Sequence, residues 1–319
     1  MRQRRAPSSM DVSIMAAGPV LRIVSIGEVL WDVFEDSEKL GGAPFNFAVH
    51  ASRLGHEVTF VSAVGDDERG HAVLKRAGEL GLRSDFIQVA PGAATGTVLV
   101  RVDSAGQPDF TILRPAAYDA LRLDGADLRR LTAIEPDWLY YGTLHQAELA
   151  ARAETRRLAE ALPGAKRFYD INLRRHCYTR ELIAELMAAA QVVKLNEDEA
   201  VAVDSMFGRR HDSLAEFTEF WSRKFEWTAV AVTRGPRGCA IRIGSDYAEP
   251  PGYTVKVADT VGAGDAFAAA FLQGLSQGWA AHRIGDFANR VGAVVASRPG
   301  GVPMWSMEDC YSLTGSDRA

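Results

Sequence analysis

Short apolar runs rich in β-branched residues alternate along this chain with longer segments that have helical spacing. An apolar run of roughly four to eight residues predicts a buried strand, and apolar residues at every third or fourth position predict a helix. Strands are predicted at residues 21–26, 58–63, 138–141, 167–171, 192–195 and 229–233, and helices at 45–54, 71–80, 147–162, 180–190, 213–224, 263–275 and 280–297. Such an alternation forms parallel βαβ units. The fold class is therefore α/β, with a mainly parallel sheet covered by helices on both faces.

A stretch near residue 100 interrupts the alternation. Residues 95–101 and 109–114 both have strand character, and only the turn-forming sequence Asp103-Ser104-Ala105-Gly106 separates them, which predicts a hairpin. With residues 31–40 the hairpin would form a small separate sheet beside the main one. A sheet that enters from early loops of an α/β domain predicts a lid over a binding site.

The composition predicts a soluble globular protein that has neither nucleic acid nor a membrane as a partner. The chain has 319 residues, of which 47% are apolar and 24% charged, close to the globular average. Its formal net charge of −5 argues against a surface dedicated to nucleic acid or to anionic lipids. No apolar run approaches the roughly 18 residues that span a bilayer. Three cysteines, far apart and odd in number, favour reduced thiols and a cytoplasmic protein.

The domain boundaries follow from these patterns. Residues 1–20 combine several arginines with a short, weakly apolar stretch that ends at Gly18-Pro19, which faintly resembles a signal peptide. A strand rather than a cleavage signal follows, so a flexible tail is the favoured interpretation. We expect one α/β domain over residues 21–319, with lid segments inserted at roughly 31–41 and 94–115.

The sequence Gly262-Ala263-Gly264-Asp265 lies at the start of an apolar helical segment. Two glycines around a small residue leave backbone N–H groups free at a helix N-terminus, where they can bind a phosphate. A carboxylate beside a phosphate is useful when it receives the proton of a hydroxyl that attacks the phosphorus. Its position in the first helical turn predicts a low pKa for Asp265. Taken alone, the pattern fits a glycine-rich loop with a helix-capping aspartate equally well.

A second polar cluster follows the first predicted strand. Glu28 and Asp32 come directly after it, and Gly41-Gly42 precedes Asn46 on the next helix. A diglycine lets a ligand approach the backbone closely, and an asparagine offers both a donor and an acceptor. This set suits a sugar or another polyol, and a turn that leads into a capped helix is the alternative interpretation.

Other nucleotide and metal motifs do not occur in the sequence. There is no G-x-x-x-x-G-K-[ST] string, which excludes a P-loop protein. Phe267 stands where a dinucleotide fingerprint would need its third glycine. The seven histidines show no H-E-x-x-H or comparable metal-binding spacing.

Five short motifs are spread along the chain in a definite order. They are Gly41-Gly42-x-x-x-Asn46, Asp170-x-Asn172, Asn196-x-x-Glu199, Thr233-Arg234-Gly235-x-x-Gly238 and Asp259-Thr260-x-Gly262-Ala263-Gly264-Asp265. Their order and approximate spacing resemble those of the ribokinase-like sugar kinases, the pfkB carbohydrate kinase family, over residues 21–303. The resemblance implies a three-layer α/β sandwich with a β-sheet lid, a sugar bound between the two, and phosphorylation of that sugar by MgATP.

The resemblance also implies roles for individual residues. Asp265 resembles the catalytic base, and the amides of Gly262, Ala263 and Gly264 resemble the anion hole for the transferred phosphoryl group. Asn196 and Glu199 match the motif that organises magnesium and phosphates, commonly through water. The residues that match the ATP site are Thr233, Gly235, Gly238 and, in the adenine pocket, Asn289. The residues that match a site for a monovalent cation, K⁺, are Asp259 and the backbone oxygens near Val261, Val295, Arg298 and Gly300.

The identity of the sugar depends on finer features. The diglycine is followed by Ala43-Pro44 and not by the lysine typical of ribokinases, and this form resembles fructokinases. Asp170 and Arg174 lie in a segment that resembles fructokinases and 2-keto-3-deoxygluconate kinases alike. Arg114, at the end of the lid hairpin, is either a contact to the sugar or phosphate or a solvated charge. The implied sugar-binding set is Asp32, Gly41, Gly42, Asn46, Arg114, Asp170 and Arg174.

The expected function is that of an ATP-dependent, fructokinase-like hexose kinase with Mg²⁺ as cofactor. A 2-keto-3-deoxygluconate kinase, a ribokinase and a nucleoside kinase are the alternatives, and a catalytically inactive, kinase-like regulatory protein is a remote one. Lids of such kinases often pair, which implies a homodimer formed through the lid.

Overall fold

The central element of the protein is a nine-stranded sheet, and a separate four-stranded sheet lies beside it. The computed structural model describes residues 18–102 and 108–314. In this part of the chain the strands are β1 (Arg22–Ile26), β2 (Leu30–Val33), β3 (Glu38–Gly41), β4 (Glu57–Gly65), β5 (Ile87–Ala90), β6 (Gly96–Val102), β7 (Pro108–Leu113), β8 (Trp138–Gly142), β9 (Lys166–Asp170), β10 (Val192–Asn196), β11 (Ala229–Thr233), β12 (Cys239–Ile243) and β13 (Asp246–Ala248). The large sheet has the order β13-β12-β11-β10-β9-β8-β1-β4-β5, and the small one β3-β2-β6-β7.

The helices form two layers, one on each face of the large sheet. They are α1 (Ala43–Arg53), α2 (Glu68–Glu79), α3 (Gly125–Thr132), α4 (Leu149–Ala161), α5 (Arg180–Ala189), α6 (Glu197–Met206), α7 (Leu214–Phe225), α8 (Ala263–Ser276), α9 (Ala281–Ala296) and α10 (Met307–Ser312). Alternate residues of β1 enter different cores. Val24 and Ile26 pack with Leu158 of α4, whereas Ile23 packs with Phe271 of α8. The predicted three-layer α/β sandwich is confirmed.

Seven strands of the large sheet are parallel, as predicted, and β12 and β13 are antiparallel additions at one edge. The strand predictions did not include this hairpin. Its two strands are joined at Gly244, which has a φ of 55° and allows a tight turn. The edge strand β5 and helices α3, α6 and α10 were also not predicted, because all four are short.

The small sheet confirms the predicted second sheet. Strands β2 and β3 are antiparallel and β6 and β7 form the expected hairpin, while β2 pairs with β6 in parallel. The predicted turn at Asp103-Ser104-Ala105-Gly106 and most of the predicted tail lie outside the described residues. The assignment of the small sheet as a lid stays a prediction.

The topology brings the predicted site residues to one edge of the large sheet. The carboxyl ends of β1, β9, β10 and β11 lie at the same edge because these strands are parallel. Strands β2 and β3 of the small sheet and the loop before α8 reach the same region. Among the described residues, no helix has the length and apolar character that crossing a membrane would need.

Candidate active site

A turn that only glycine can form begins helix α8. Gly262 has a φ of 77°, and a Cβ on it would overlap the carbonyl of Gly301. The helix starts at the next residue, so the N–H groups of Gly264 and Asp265 lie in the first turn and have no intrahelical acceptor. The N–H of Ala263 donates instead to the carbonyl of Thr260, at 3.3 Å. Of the three predicted donors, Ala263 is thus already engaged, and anion binding at the start of α8 stays a prediction.

Asp265 is buried at this helix terminus and is 7% exposed. Asn46 on α1 donates through Nδ2 to its Oδ2 at 2.9 Å, which joins the two polar clusters that the sequence analysis treated separately. Burial and the nearby charge of Asp170 raise the pKa of Asp265 to about 6. The prediction of a low pKa from the helix dipole was therefore wrong. The loss of hydration on burial outweighs the effect of the helix dipole on this pKa. The raised pKa makes the carboxylate a stronger base.

Asp170 does not lie where a sugar can reach it. Its side chain has no exposed surface, and both carboxylate oxygens lie 3.1 Å from Nζ of Lys194 on β10. The hydroxyl of Tyr140 donates to the same carboxylate at 2.9 Å. The predicted sugar contact is corrected to a buried ion pair that lies beneath the first turn of α8, since a Cβ on Gly264 would be 3.2 Å from Nζ of Lys194. No motif pointed to Lys194, because its partner lies 24 residues away along the chain.

The polar cluster that follows β1, which we call the sugar-side cluster, contains buried acceptors that have no partner. Oε2 of Glu28 and Oδ1 of Asn46 are both buried and lack a hydrogen-bond donor within the described chain. Burial raises the pKa of Glu28 to about 7, against the effects of backbone N–H groups and Arg174. Burial likewise raises the pKa of Asp32 to about 6. Unpaired buried acceptors are costly, and hydroxyl groups of a ligand would satisfy them.

The diglycine brings the backbone close to these acceptors. Gly42 has a φ of 109°, and a Cβ on it would lie 2.5 Å from the carbonyl oxygen of Glu28. A Cβ on Gly41 would lie 3.1 Å from Oδ2 of Asp32. A side chain at either position would therefore fill the space between the small sheet and the start of α1.

The two candidate arginines occupy different environments. Arg114 is bound to Asp119, with distances of 2.5 Å and 3.2 Å from its Nη2 and Nε, and to the carbonyl of Leu144 at 2.9 Å. The ion pair excludes the solvated charge, and a contact of Arg114 with the sugar or phosphate stays a prediction. Arg174 is exposed, and its charge lowers the pKa values of Glu28, Asp32 and Asp265. Its guanidinium therefore faces the buried carboxylates from the solvent side.

Asn196 and Glu199 form a reciprocal cap at the start of α6. Oδ1 of Asn196 accepts from the N–H of Glu199, and Oε2 of Glu199 accepts from the N–H of Asn196, both at 2.8 Å. Oε1 of Glu199 accepts from the N–H of Leu173, also at 2.8 Å. Each carboxylate oxygen has a second lone pair, so a water bound to Mg²⁺ can still be held here. Among residues 18–102 and 108–314, no group of three or more acidic, histidine or cysteine side chains could hold a metal ion.

The other predicted nucleotide residues surround the end of β11. Thr233 is paired with Asn196 across β10 and β11, and Gly235 and Gly238 form the turn that follows. Asn289 on α9 donates through Nδ2 to the carbonyls of Pro250 and Pro251, at 3.2 Å and 3.0 Å. Its amide thus holds the loop after β13, and its contact with adenine stays a prediction.

The residues at Asp259 do not fit a potassium ion, because a lysine already occupies the carboxylate. Nζ of Lys39 on β3 lies 2.8 Å from Oδ2 of Asp259. The backbone N–H groups of Val261 and Gly300 donate to the same carboxylate at 3.1 Å. The carbonyl of Val295 accepts from the N–H of Arg298 at 3.0 Å. Three donors, one of them cationic, thus surround Asp259.

We predict that Glu28→Gln stabilises the protein at pH 8 and changes its stability little at pH 5. A carboxyl whose pKa rises from 4.5 in the unfolded chain to about 7 in the folded one binds its proton more tightly when folded. Folding stability therefore falls as the pH rises through this interval, by about 3 kcal/mol in total. Thermal unfolding at both pH values measures the effect.

The control for this prediction is Glu35→Gln, which removes an exposed carboxylate of the same small sheet region. It should leave the difference in melting temperature between pH 5 and pH 8 as in the wild type. An equal melting temperature of Glu28→Gln and wild type at pH 8 would show that Glu28 is not held in an unfavourable ionised state.

The chain matches known carbohydrate kinases over almost its whole length. Residues 9–307 match the family model of the pfkB family carbohydrate kinases. A fructokinase of Klebsiella pneumoniae is 29% identical over 278 residues, which cover 83% of this chain and 86% of that protein. The fold is similar to the crystal structure of a Xylella fastidiosa fructokinase with bound ATP, with a TM-score of 0.77 and 24% identity over 91% of this chain and 97% of that one. It is also similar to the crystal structure of a Thermotoga maritima 2-dehydro-3-deoxygluconokinase, with a TM-score of 0.80 and 19% identity over 92% of this chain and 98% of that one. The chain therefore belongs to the pfkB family of carbohydrate kinases.

Proposed function

We propose that this carbohydrate kinase transfers the γ-phosphoryl group of ATP to a hydroxyl of a neutral ketohexose, D-fructose. The observation that carries the proposal is the hydrogen bond between Asn46 and Asp265 at the start of α8. It places a carboxylate of raised pKa beside free helix N–H groups on one side and unpaired sugar-side acceptors on the other. Phosphoryl transfer needs this combination of a proton acceptor, an anion site and a positioned hydroxyl.

In this proposal each side chain has a separate task. Asp265 orients the attacking hydroxyl and accepts its proton, while the free N–H groups of Gly264 and Asp265 stabilise the charge on the transferred group. Asp32, Asn46 and Glu28 accept hydrogen bonds from the remaining hydroxyls of the sugar. The small sheet, which carries Asp32 on β2, closes over the sugar and excludes water that would compete as an acceptor.

The nucleotide would bind along the ends of β10 and β11, with Thr233, Gly235 and Gly238 beside it. Mg²⁺ would be bound together with ATP, and Asn196 and Glu199 would hold it through water, in keeping with their remaining lone pairs. The ion supplies charge neutralisation on the phosphates. A homodimer formed through the small sheet also stays a proposal, supported by the half-exposed side chains of Phe110 and Leu113 on β7.

The charges around the sugar site favour a neutral sugar over a sugar acid. Glu28, Asp32 and Asp265 surround the proposed site, and of the two predicted arginines only Arg174 faces it. The charge of Arg114 is neutralised by Asp119, which weakens its attraction for a substrate carboxylate. An added carboxylate, as in 2-keto-3-deoxygluconate, would therefore meet more negative than positive charge.

We predict that the kinase prefers D-fructose to 2-keto-3-deoxygluconate by about tenfold or more in kcat/KM, because of this charge balance. ADP release is measured with fructose, the sugar acid, ribose and a nucleoside at equal concentrations.

The variant Asp32→Ala should raise the KM for fructose and leave the KM for ATP unchanged. The control Asp36→Ala, at an exposed position nearby, should change neither KM.

A higher kcat/KM for the sugar acid would contradict the assignment of a neutral sugar but leave the kinase itself in place. Unchanged fructose kinetics in Asp32→Ala would instead contradict the position of the sugar site. The two results separate the identity of the substrate from its location.

Lys39 supplies, in our proposal, the positive charge that K⁺ would otherwise bring to Asp259. We predict that wild-type turnover is the same with KCl as with tetramethylammonium chloride. Lys39→Met should lose about tenfold or more in tetramethylammonium and regain part of it in KCl, because it frees a carboxylate that K⁺ can then reach. The control is Lys75→Met, an exposed lysine of α2. A wild type that needs K⁺ for turnover would overturn this proposal.

A further inference from the structure

A cavity lies between α4 and α5, away from the start of α8. It has a volume of about 330 Å³ and is lined by Tyr141 of β8, Arg167 of β9, Gln146, and residues of the two helices. None of the residues assigned above to the sugar, the nucleotide or catalysis lines it. We call it the α4–α5 pocket. Its volume is that of a site for a small metabolite.

Three buried polar atoms of the pocket lining have no hydrogen-bond partner within the described chain. They are the hydroxyl of Tyr141, Nε2 of Gln146 and Nε of Arg167. Tyr141 is 3% exposed and Gln146 is 1% exposed, so bulk water does not reach these side chains freely. Burial raises the pKa of Tyr141, which therefore keeps its proton. All three atoms are donors, and each unpaired buried donor is costly.

The charges of the pocket point to an anion as well. Three arginines and two glutamates line it, which leaves one net positive charge. Arg152 and Arg156 pair with the same carboxylate, that of Glu185, and the Arg152–Glu185 distance is 3.7 Å. N–H groups of both guanidinium groups therefore remain for a further acceptor. Guanidinium groups bind phosphate and carboxylate oxygens in a planar, two-point manner.

We infer that the α4–α5 pocket binds a small oxyanion, the phosphate or carboxylate group of a compact metabolite. Its oxygens accept from Tyr141, Gln146 and Arg167, and its charge pairs with Arg152 and Arg156. Such a ligand satisfies the three unpaired donors at once and neutralises the excess positive charge.

The position of Gln146 connects the pocket with the sugar site. Arg152 of the pocket donates through Nε to the carbonyl of Gln146 at 3.0 Å. The backbone of His145, the preceding residue, lies close enough to the carboxylate of Glu28 to lower its pKa. A ligand that orders this turn also orders the backbone beside Glu28, so it should tighten sugar binding. This part of the inference rests on the proposed function, whereas anion binding itself does not.

Calorimetric titration of the full chain with inorganic phosphate, glycerol 3-phosphate and citrate tests the binding site. The three probes distinguish a phosphate group from a carboxylate source. Tyr141→Phe should lower the affinity for the bound probe by about tenfold or more, because it removes one donor to a charged acceptor. Arg156→Gln should weaken it as well. The control Arg223→Gln removes an exposed charge from α7, and this variant should bind the probe as the wild type does.

The variant Tyr141→Phe also has a signature in the absence of any probe. It deletes a hydroxyl that has no partner, so its melting temperature should equal or exceed that of the wild type. Wild-type affinity in both Tyr141→Phe and Arg156→Gln would place the anion elsewhere, for example at the start of α8, and would overturn the proposal. Failure of all three probes to bind the wild type would overturn it too.

The effect on the sugar site is measured separately. The probe that binds should lower the KM for the sugar in the wild type and leave it unchanged in Tyr141→Phe. A probe that binds without changing this KM would overturn the connection through His145 but not the binding site. A protein that binds the probe and phosphorylates no sugar would contradict the proposed function alone.

Discussion

The ammonium of Lys194 is the charge on which the buried part of the active site depends. Burial disfavours its charged form, but Asp170, Glu199 and Asp265 outweigh this effect, and the pKa of Lys194 is raised. It holds both oxygens of Asp170 at 3.1 Å and lies directly behind Gly264. Without it, Asp170 would be an uncompensated buried charge, a loss worth about 3–5 kcal/mol. The lysine thereby allows several carboxylates to lie together beneath the first turn of α8.

The remaining carboxylates are held in a state that favours function over stability. Glu28, Asp32 and Asp265 all have raised pKa values, mainly because they are buried. At neutral pH their ionised forms oppose folding, and unpaired oxygens such as Oε2 of Glu28 add to the cost. Proteins tolerate such groups at functional sites, where a ligand provides the missing partners. In our proposal the hydroxyl groups of the sugar are the donors that these oxygens lack.

Much of this arrangement follows from local sequence, and its corrections come from long-range packing. The alternation of strands and helices, the small sheet and the motifs that contain Asn46 and Asp265 were all evident in the sequence. The hydrogen bond between Asn46 and Asp265 spans 219 positions and was not evident in the sequence. Neither was the role of Lys194, nor the pairing of Arg114 with Asp119, which depends on a turn after the hairpin. Burial, which no local motif reports, reversed the expected pKa of Asp265.

The central claim is that Asp265 takes the proton of the attacking hydroxyl. The turnover number of Asp265→Asn tests it most directly, because the pH dependence of the wild type would also report Glu28 and Asp32, which titrate in the same range. Asparagine keeps the size of the side chain but cannot accept the proton. We predict a fall in kcat of about 100-fold or more in a folded protein that binds ATP as tightly as the wild type. A wild-type kcat in that folded variant would show that the base lies elsewhere.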